Sequence, residues 1–339
     1  MEVATVRGWT HRAFAIGDAS CVGEARRHAA HAAAEMGWNE VDAGRLALVV
    51  TELGTNLQRH AQGGRLLIAA RPQSLEVEVV AIDDGPGIPD LALAMRDGHS
   101  SGSTPGTGLG AVSRLADDFD VHSSMPGGTV GVARVRAKNA EAPHASAFAI
   151  GAICLPAPHE TVSGDGWACA LAGDKATVLL ADGLGHGPEA AKAAQAAIGA
   201  FAQAPADDVR ETVQRVHREL QTTRGAAVCV LRIDAESSNV NYSGAGNIVG
   251  RVLSGVFDKL IVTQHGTAGM QIRKPESGSL ELPDHALVVL HSDGIETRWT
   301  VDRIRPLLQR DPTLVAAVLL RDHTRHRDDA TVVVIRRKE

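Results

Sequence analysis

Four aspartates at separated points from residue 165 onward constrain the chain's fold more than any other feature. They stand in Ser163-Gly164-Asp165-Gly166, Ala181-Asp182-Gly183-Leu184-Gly185-His186-Gly187, Ser292-Asp293-Gly294 and Asp328-Asp329-Ala330-Thr331. Apolar runs at 176–181 and 286–291 lead into the second and third, and 330–335 leaves the fourth. An Asp-Gly pair alone is a turn signal. Acids gathered from strand ends far apart in sequence ask for more: the strands must run so that their ends meet. Carboxylates, carbonyls and water gathered there suit a hard divalent cation, Mg²⁺ or Mn²⁺.

A chain of 339 residues, 44% hydrophobic, has ample length for two ordinary domains. A net charge of −6 offers no basic surface to nucleic acid or an anionic membrane. With 3% aromatic residues, base-stacking platforms are not expected. No apolar run reaches bilayer-spanning length, and the first residues lack the apolar core of a signal peptide. The expectation is a cytoplasmic protein with neither nucleic-acid nor membrane partners. Cys21, Cys154, Cys169 and Cys229 form no Cys-x-x-Cys pair and read as reduced, buried thiols.

Residues 137–146 are small and polar, contain Pro143 and have no apolar period, as a linker would. The expected division is a first domain at 1–137, a linker at 138–145 and a second domain at 146–339. In the first, 22–36 reads as a helix. Asn39 caps another that runs to about residue 61, with Leu46, Val49, Val50, Leu53 and Leu57 at helical spacing. Strands are expected at 65–71 and 75–83. The second domain is strand-rich, with strands at 168–172, 176–181, 225–233, 240–243, 248–253, 286–291 and 330–336. Helices at 188–202 and 207–222 interrupt them, and Pro188 suits a first helical position. Many strands and few helices suggest two packed sheets flanked by helices.

Three features of the first domain carry chemistry. Glu52, Asn56 and His60 lie four apart along one helix face, beside its apolar stripe. That row is either a solvated edge or the wall of a cleft. Asp83-Asp84-Gly85-Pro86-Gly87 ends a strand, where glycines let backbone approach a ligand closely. Pro105-Gly106-Thr107-Gly108-Leu109-Gly110 is a glycine-rich turn entering a helix, whose first N–H groups can bind phosphate. Helix acid and amide, then Asp-x-Gly-x-Gly, then Gly-x-Gly-x-Gly, with Gly127-Gly128-Thr129 after them, resembles the GHKL (Bergerat) ATP-binding fold over about residues 15–137. Within it, the stretches 51–68 and 82–101 resemble the RsbT-type serine kinases. The resemblance implies that Asn56 helps hold one Mg²⁺ on the nucleotide and that Asp83 accepts from the adenine amino group. It implies that Gly85 and Gly87 shape the base pocket with Thr129 beside it. It places Gly106, Gly108 and Gly110 on the phosphates, 97–105 as a mobile lid, and Glu52 as the base for a protein serine hydroxyl. His60 is expected to pack at the cleft edge rather than accept phosphate.

The four aspartate motifs, in their order, resemble the metal-dependent type-2C protein phosphatases, specifically the SpoIIE/RsbX branch, over roughly residues 146–339. The resemblance implies two metal ions held by Asp165, the Gly166 carbonyl, Asp182, Asp293 and Asp328, with Asp182 as the bridging ligand. A pair of such ions acidifies a water for in-line attack on phosphoserine or phosphothreonine. The family pattern makes Asp328 the ligand, and leaves Asp329 to a turn or to support. His186 either reaches the site or acts as a hinge before the helix at Pro188, which related phosphatases use as a regulatory switch. Arg224 could contact phosphate, and the turn at 244–247 reads as tight geometry rather than a ligand.

The expected fold is α+β, a GHKL α/β sandwich followed by a type-2C α-β-β-α sandwich. The expected function is a bifunctional partner-switching regulator. Its phosphatase would act on a phosphorylated STAS-domain protein of a partner-switching or stressosome pathway, and its first domain would use ATP to phosphorylate the same kind of target. The alternative is a phosphatase whose ATP-binding domain is a non-catalytic regulatory or partner-binding module.

Overall fold

In the computed structural model, which describes residues 4–61, 63–96, 108–140 and 146–338, two compact units divide the chain. One is His11–Pro143, and the other joins Met1–Thr10 to His144–Glu339. Residues 4–10, expected at the start of the ATP-binding domain, therefore belong to the second. Strand β1 (Ala4–Arg7) pairs antiparallel with β8 (Asp165–Ala172), with Arg7 opposite Ala168. The Gly8 N–H then donates to the Trp167 carbonyl at 2.8 Å. The Trp167 indole N–H donates to the Trp9 carbonyl at 3.3 Å, and the two rings meet edge-on. At the other junction the Lys138 N–H donates to Asp42, so 138–140 finish the first unit. Residues 141–145 of the expected linker lie outside the described residues.

The first unit is built from β2 (Arg12–Ile16), helices α1 (Ala19–Glu35) and α2 (Glu40–His60), then β3 (Gly64–Arg71) and β4 (Glu76–Asp83). Short helix α3 (Leu91–Ala94), helix α4 (Gly108–Leu115), β5 (Asp118–Ser124) and β6 (Gly128–Arg136) complete it. The sheet is antiparallel, in the order β2-β3-β4-β6-β5. Asn39 caps α2 as expected: its Oδ1 accepts from the Asp42 N–H at 2.9 Å and its amide donates back to the Asp42 carboxylate at 2.8 Å. The apolar stripe of α2 packs on Val77, Val79 and Ala81 of β4 and on Ala133 and Val135 of β6. Alternation along β4 puts Glu76 and Glu78 on the other face. There Glu78 is fully buried and takes Arg134 Nε at 2.7 Å and His11 Nε2 at 3.2 Å, with Arg71 beside it. Burial alone would raise the Glu78 pKa, but Arg71 and Arg134 outweigh it and hold the carboxyl far below its ordinary range.

The second unit contains β7 (Phe148–Leu155), β8, β9 (Lys175–Gly183), α5 (Pro188–Gln203), α6 (Val209–Glu219) and β10 (Ala226–Asp234). After these come β11 (Asn239–Ala245), β12 (Val249–Leu253), β13 (Asp258–Ile261), β14 (Gly266–Thr267), β15 (Gln271–Ile272) and β16 (Ser277–Glu281). The unit ends with β17 (Leu287–His291), α7 (Pro312–His323) and β18 (Ala330–Arg337). Two sheets stack, β1-β8-β9-β10-β11-β16 against β13-β12-β17-β18-β7. Trp167, Val178, Leu180, Leu231, Val288, Leu290 and Val333 fill the space between them. The opposite faces of the same strands, at Ala168, Leu179, Ala181 and Val230, pack under α5 and α6 through Ala193, Ala197, Phe201 and Val213. Helix α7 covers β7 and β18. This is an α-β-β-α sandwich.

Helix α7 is an element that hydrophobic periodicity does not reveal. Every residue from Pro312 to Leu320 is buried, so the segment is apolar nearly all round and shows no 3.6-residue stripe. Asp311 caps it through the Thr313 N–H at 2.8 Å.

Glu78→Gln should destabilise the protein by about 3 kcal/mol at pH 7, because it removes the fully buried negative charge that Arg134 and Arg71 face, leaving Glu76 to face them on that side. The folded state keeps Glu78 ionised well below the 4.5 at which the unfolded chain takes up a proton. Protons therefore bind preferentially to the unfolded chain, and the wild type loses stability as pH falls below about 4.5. Urea titrations from pH 7 to pH 3 should show that loss flattened in the variant.

Candidate functional site

Strand alternation explains how the aspartates of the second unit meet. Asp165 shares the face of Trp167 and Cys169, and Asp182 that of Val178 and Leu180, so both point between the sheets. The register sets Asp165 directly opposite Asp182 at one end of the β8–β9 ladder. On the facing sheet Ser292 and Asp293 follow β17, and Asp328 and Asp329 precede β18, at that same end. Ser292 joins the two sheets there. Its Oγ donates to Asp165 Oδ2 at 2.7 Å and accepts from the Thr331 N–H at 3.0 Å. Gly166 lies in β8 with its face against Ala194 and Ile198 of α5.

The acids differ in setting. Asp165 and Asp329 are buried, Asp182 and Asp293 half-buried, and Asp328 exposed in the turn, where its Oδ1 accepts from the Asp329 N–H. Asn247 donates to Asp293 Oδ2 at 2.7 Å, and Asp329 Oδ1 accepts from the Ala157 N–H at 2.8 Å. Among the described residues, Asp165 Oδ1 and Asp329 Oδ2 are buried without a hydrogen-bond partner. Burial, joined by the neighbouring carboxylates, pushes the Asp165 pKa up to about 7 and that of Asp182 up to about 9. Asp293 and Asp329 are raised for the same two reasons, with Arg325 opposing at Asp293. Among the described residues no three acidic, histidine or cysteine side chains close onto one point as a finished shell. The donor set is all oxygen, crowds carboxyls that raise one another's pKa values, and leaves buried lone pairs unmatched among the described residues. That chemistry fits hard divalent ions.

The loop that carries Asp182 into α5 is tied down by His186. Its Nδ1 lies 2.7 Å from Glu160 Oε1. Cys154 sits beneath the site within reach of Ser163, with its thiol pushed up to about 11 by burial and by the nearby Asp165. None of the four thiols is in a disulfide, and Cys154, Cys169 and Cys229 are buried as expected.

In the first unit a cavity of about 530 Å³ opens between α2, α3, α4 and the sheet. Asn56, His60, Asp83, Gly87, Gly108 and Thr129 line it, against apolar walls that include Leu53, Leu57, Ile88, Leu109 and Val121. Asp83 organises the floor. Its Oδ1 accepts from the N–H groups of Gly85 at 2.8 Å and Thr129 at 3.2 Å, so Oδ2 is the oxygen left for a ligand. Thr129 Oγ1 is 3.0 Å from Ser123 Oγ, which itself accepts from the Ile88 N–H at 2.7 Å. Gly87 has φ +80°, and a Cβ there would stand 2.3 Å from the Ser124 carbonyl oxygen. Gly85 lies just behind the floor and Gly110 is buried within α4; neither lines the cavity. Glu52, half-buried one turn before Asn56, does not line it either. Gly106 and the expected lid at 97–105 lie outside the described residues.

Four polar partners escaped the sequence: Ser123, Glu160, Asn247 and Ser292. For Ser292 a signal existed, since its alternation with Val288 and Leu290 points it inward. The other three depend on which loops meet, and spacing does not encode that.

Comparison with known proteins adds the following. A family described as "Histidine kinase-like ATPase domain" matches residues 17–134, and "Stage II sporulation protein E (SpoIIE)" matches residues 172–338. The serine/threonine-protein kinase RsbT of Bacillus subtilis (strain 168) is 36% identical over 107 residues, which cover 31% of this chain and 80% of that protein. A structure reported as "The bacterial stressosome: a modular system that has been adapted to control secondary messenger signaling" superposes with TM-score 0.53 at 25% identity. That likeness covers 56% of this chain and 99% of the other. The PP2C phosphatase domain and regulatory-domain fragment of Bacillus subtilis SpoIIE is 18% identical with TM-score 0.48, over 77% of this chain and 78% of that one. The two domain types expected from the motifs are both present, in the expected order.

Gly164 packs closely against the acid centre. A Cβ there would stand 2.6 Å from Asp329 Oδ2 and 2.7 Å from Ala190 Cβ of α5. Gly164→Ala should cost about 1–3 kcal/mol by overpacking, measured by chemical denaturation.

Proposed function

The chain belongs to the family of the RsbT serine/threonine kinases, with a SpoIIE-type phosphatase domain fused behind it. From that footing we propose that it is a bifunctional, cytoplasmic partner-switching regulator. The second domain removes phosphate from a phosphoserine or phosphothreonine of a STAS-domain protein, and the first binds ATP and phosphorylates the same kind of target. The observation that carries the phosphatase reading is the facing pair Asp165 and Asp182 at the mouth between the sheets, two carboxyls whose pKa values burial and the neighbouring acids raise.

Asp165, the Gly166 carbonyl, Asp182, Asp293 and Asp328 are the proposed ligands of two Mg²⁺ or Mn²⁺ ions. Such ions supply positive charge for the phosphoryl oxygens and a water acidified toward neutral pH. The chain's own residues hold that arrangement in shape. Ser292 fixes the Asp165 carboxylate, Asn247 fixes Asp293, and Asp329 braces the 157 loop against the turn before β18. Arg224, with Nη1 3.6 Å from the Cβ position of Gly185, is the proposed contact for a phosphoryl group.

In the first domain the apolar walls take adenine, and Asp83 Oδ2 accepts from its amino group. Thr129 and Gly87 border the base, Gly85 backs the floor, and Asn56 helps hold one Mg²⁺ on the phosphates. Gly106, Gly108 and Gly110 are the proposed phosphate loop, and Glu52 the proposed base. One observation favours the second reading, a non-catalytic regulatory module. Glu52 stands outside the cavity that Asn56 and Asp83 line.

The deciding experiment incubates the protein with Mn²⁺ and a STAS-domain protein, with and without ATP, and follows that protein by intact mass from both phosphorylation states. Both activities predict phosphate gained with ATP and lost without it. Loss without gain would favour the regulatory module. Asp182→Ala should lower phosphatase turnover by more than about 100-fold, beyond the usual cost of losing a supporting residue, and full turnover would refute the metal assignment. Glu52→Gln should abolish phosphate gain while leaving ATP binding intact. Asp83→Asn keeps an acceptor for the Gly85 and Thr129 N–H groups but sets a donor against the adenine amino group. Nucleotide affinity should fall by about 1.5–3 kcal/mol, read by fluorescent-nucleotide titration.

A further inference from the structure

We propose that the mouth of the aspartate centre carries an apolar docking collar, formed by Val162, Leu184 and Met270, on which a folded phosphoprotein rests the surface around its phosphorylated side chain. The inference rests on the phosphatase reading and adds how its substrate is recognised. These three large apolar side chains are 45%, 51% and 64% exposed. Each belongs to a different loop, and backbone hydrogen bonds join those loops around Asp182.

Leu184 follows Asp182 by two residues, and its N–H donates to the Gly225 carbonyl at 3.0 Å. Met270 comes from the β14–β15 hairpin. Ala268 and Ala226 exchange both backbone hydrogen bonds, at 3.0 and 2.9 Å, while the next residue, Ala227, pairs with Asp182 in the ladder. Met270 Cγ lies 3.1 Å from the Cβ position of Gly225, so the hairpin tip sits one strand over from Asp182. Val162 approaches from the other side. Two residues after it, the Gly164 carbonyl accepts from the Gly183 N–H at 3.1 Å, and Gly164 packs on Gly185. Exposed Arg224 stands against the Gly185 loop within the same ring.

An acid centre meant only for small phosphate esters needs no apolar rim, and large apolar side chains grouped in water mark an interaction surface. The charges fix the occupant. A cationic guanidinium and acids suited to divalent ions require a phosphorylated group at the centre. Three apolar contacts on three separate loops then require a body broad enough to touch them together. A folded phosphoprotein with small apolar residues around its phosphoserine meets both demands, whereas a phosphorylated small molecule meets the first alone.

The test compares Met270→Glu and Leu184→Glu with the wild type on two substrates in Mn²⁺: p-nitrophenyl phosphate, and a serine-phosphorylated STAS-domain protein followed by intact mass. The collar predicts that kcat/KM for the phosphoprotein falls at least about tenfold, mainly through KM, as for loss of one anchoring contact. Turnover of p-nitrophenyl phosphate should stay within about twofold, and Met270→Leu should behave as wild type on both. Equal losses on both substrates, or none on either, would overturn the collar while leaving the phosphatase standing. A wild type inert towards p-nitrophenyl phosphate would sink the phosphatase reading, and the collar with it.

Discussion

Two carboxylates placed face to face govern the second domain. Antiparallel pairing normally avoids like charges directly opposite each other, because they destabilise the ladder. Here the register that stacks Trp167 on Leu180 and Cys169 on Val178 also sets Asp165 against Asp182. The apolar pairs fix the register, since a one-residue slip would turn the core face outward. The acid pair has no freedom to move apart, and the strain of holding the two together shows in their raised pKa values. Ser292 reaches across to steady Asp165, and Gly164 lets the Asp329 carboxylate come close. Unfavourable local electrostatics maintained by favourable packing elsewhere is common at functional sites.

The first domain solves a different problem with one carboxylate. Asp83 ends β4 and ties together the turn at Gly85 and the start of β6 at Thr129 through a single oxygen. The residue that closes the cavity floor thus does so through one oxygen, with its other oxygen outside both of those bonds. Ser123 repeats the device beside it, linking Ile88 to Thr129. The polar floor is pre-organised before any ligand enters, while the walls are apolar side chains from α2, α4 and β5. Rigid polar groups set in an apolar cleft are the usual basis of small-molecule specificity.

Much of this was legible in the sequence because local rules and global fold agree. The Asn39 cap, the stripe from Leu46 to Leu57 and Pro188 at the head of α5 follow from propensity and period alone. The aspartates announce a site because each abuts an apolar run, and that run has to become a strand. What escaped depends on tertiary partners. Helix α7 lacks a period because it is buried on every side. The placement of β1 is set by β8, more than a hundred residues away in the chain, and four residues carry no signal of such a partner. Asn247 reads as a turn residue until Asp293 arrives beside it. Glu52 shares its helix face with Asn56, yet only Asn56 reaches the cavity, since one turn of helix carries a side chain past the cleft edge.

The position of β1 gives the chain an unusual history during synthesis. Its first strand leaves the ribosome long before its partner: Ala4 waits for Leu171, about 167 residues later, which is roughly ten to thirty seconds at ordinary elongation rates. Throughout that interval the whole of His11–Pro143 has emerged and can fold, with a short unpaired strand trailing from its front. The phosphatase sheet then grows around a strand made before any of its neighbours. In the order of the chain, the unit His11–Pro143 thus interrupts the second unit, which begins before it and resumes after it. A cut at the expected linker would leave the β8 edge of the phosphatase without its partner strand.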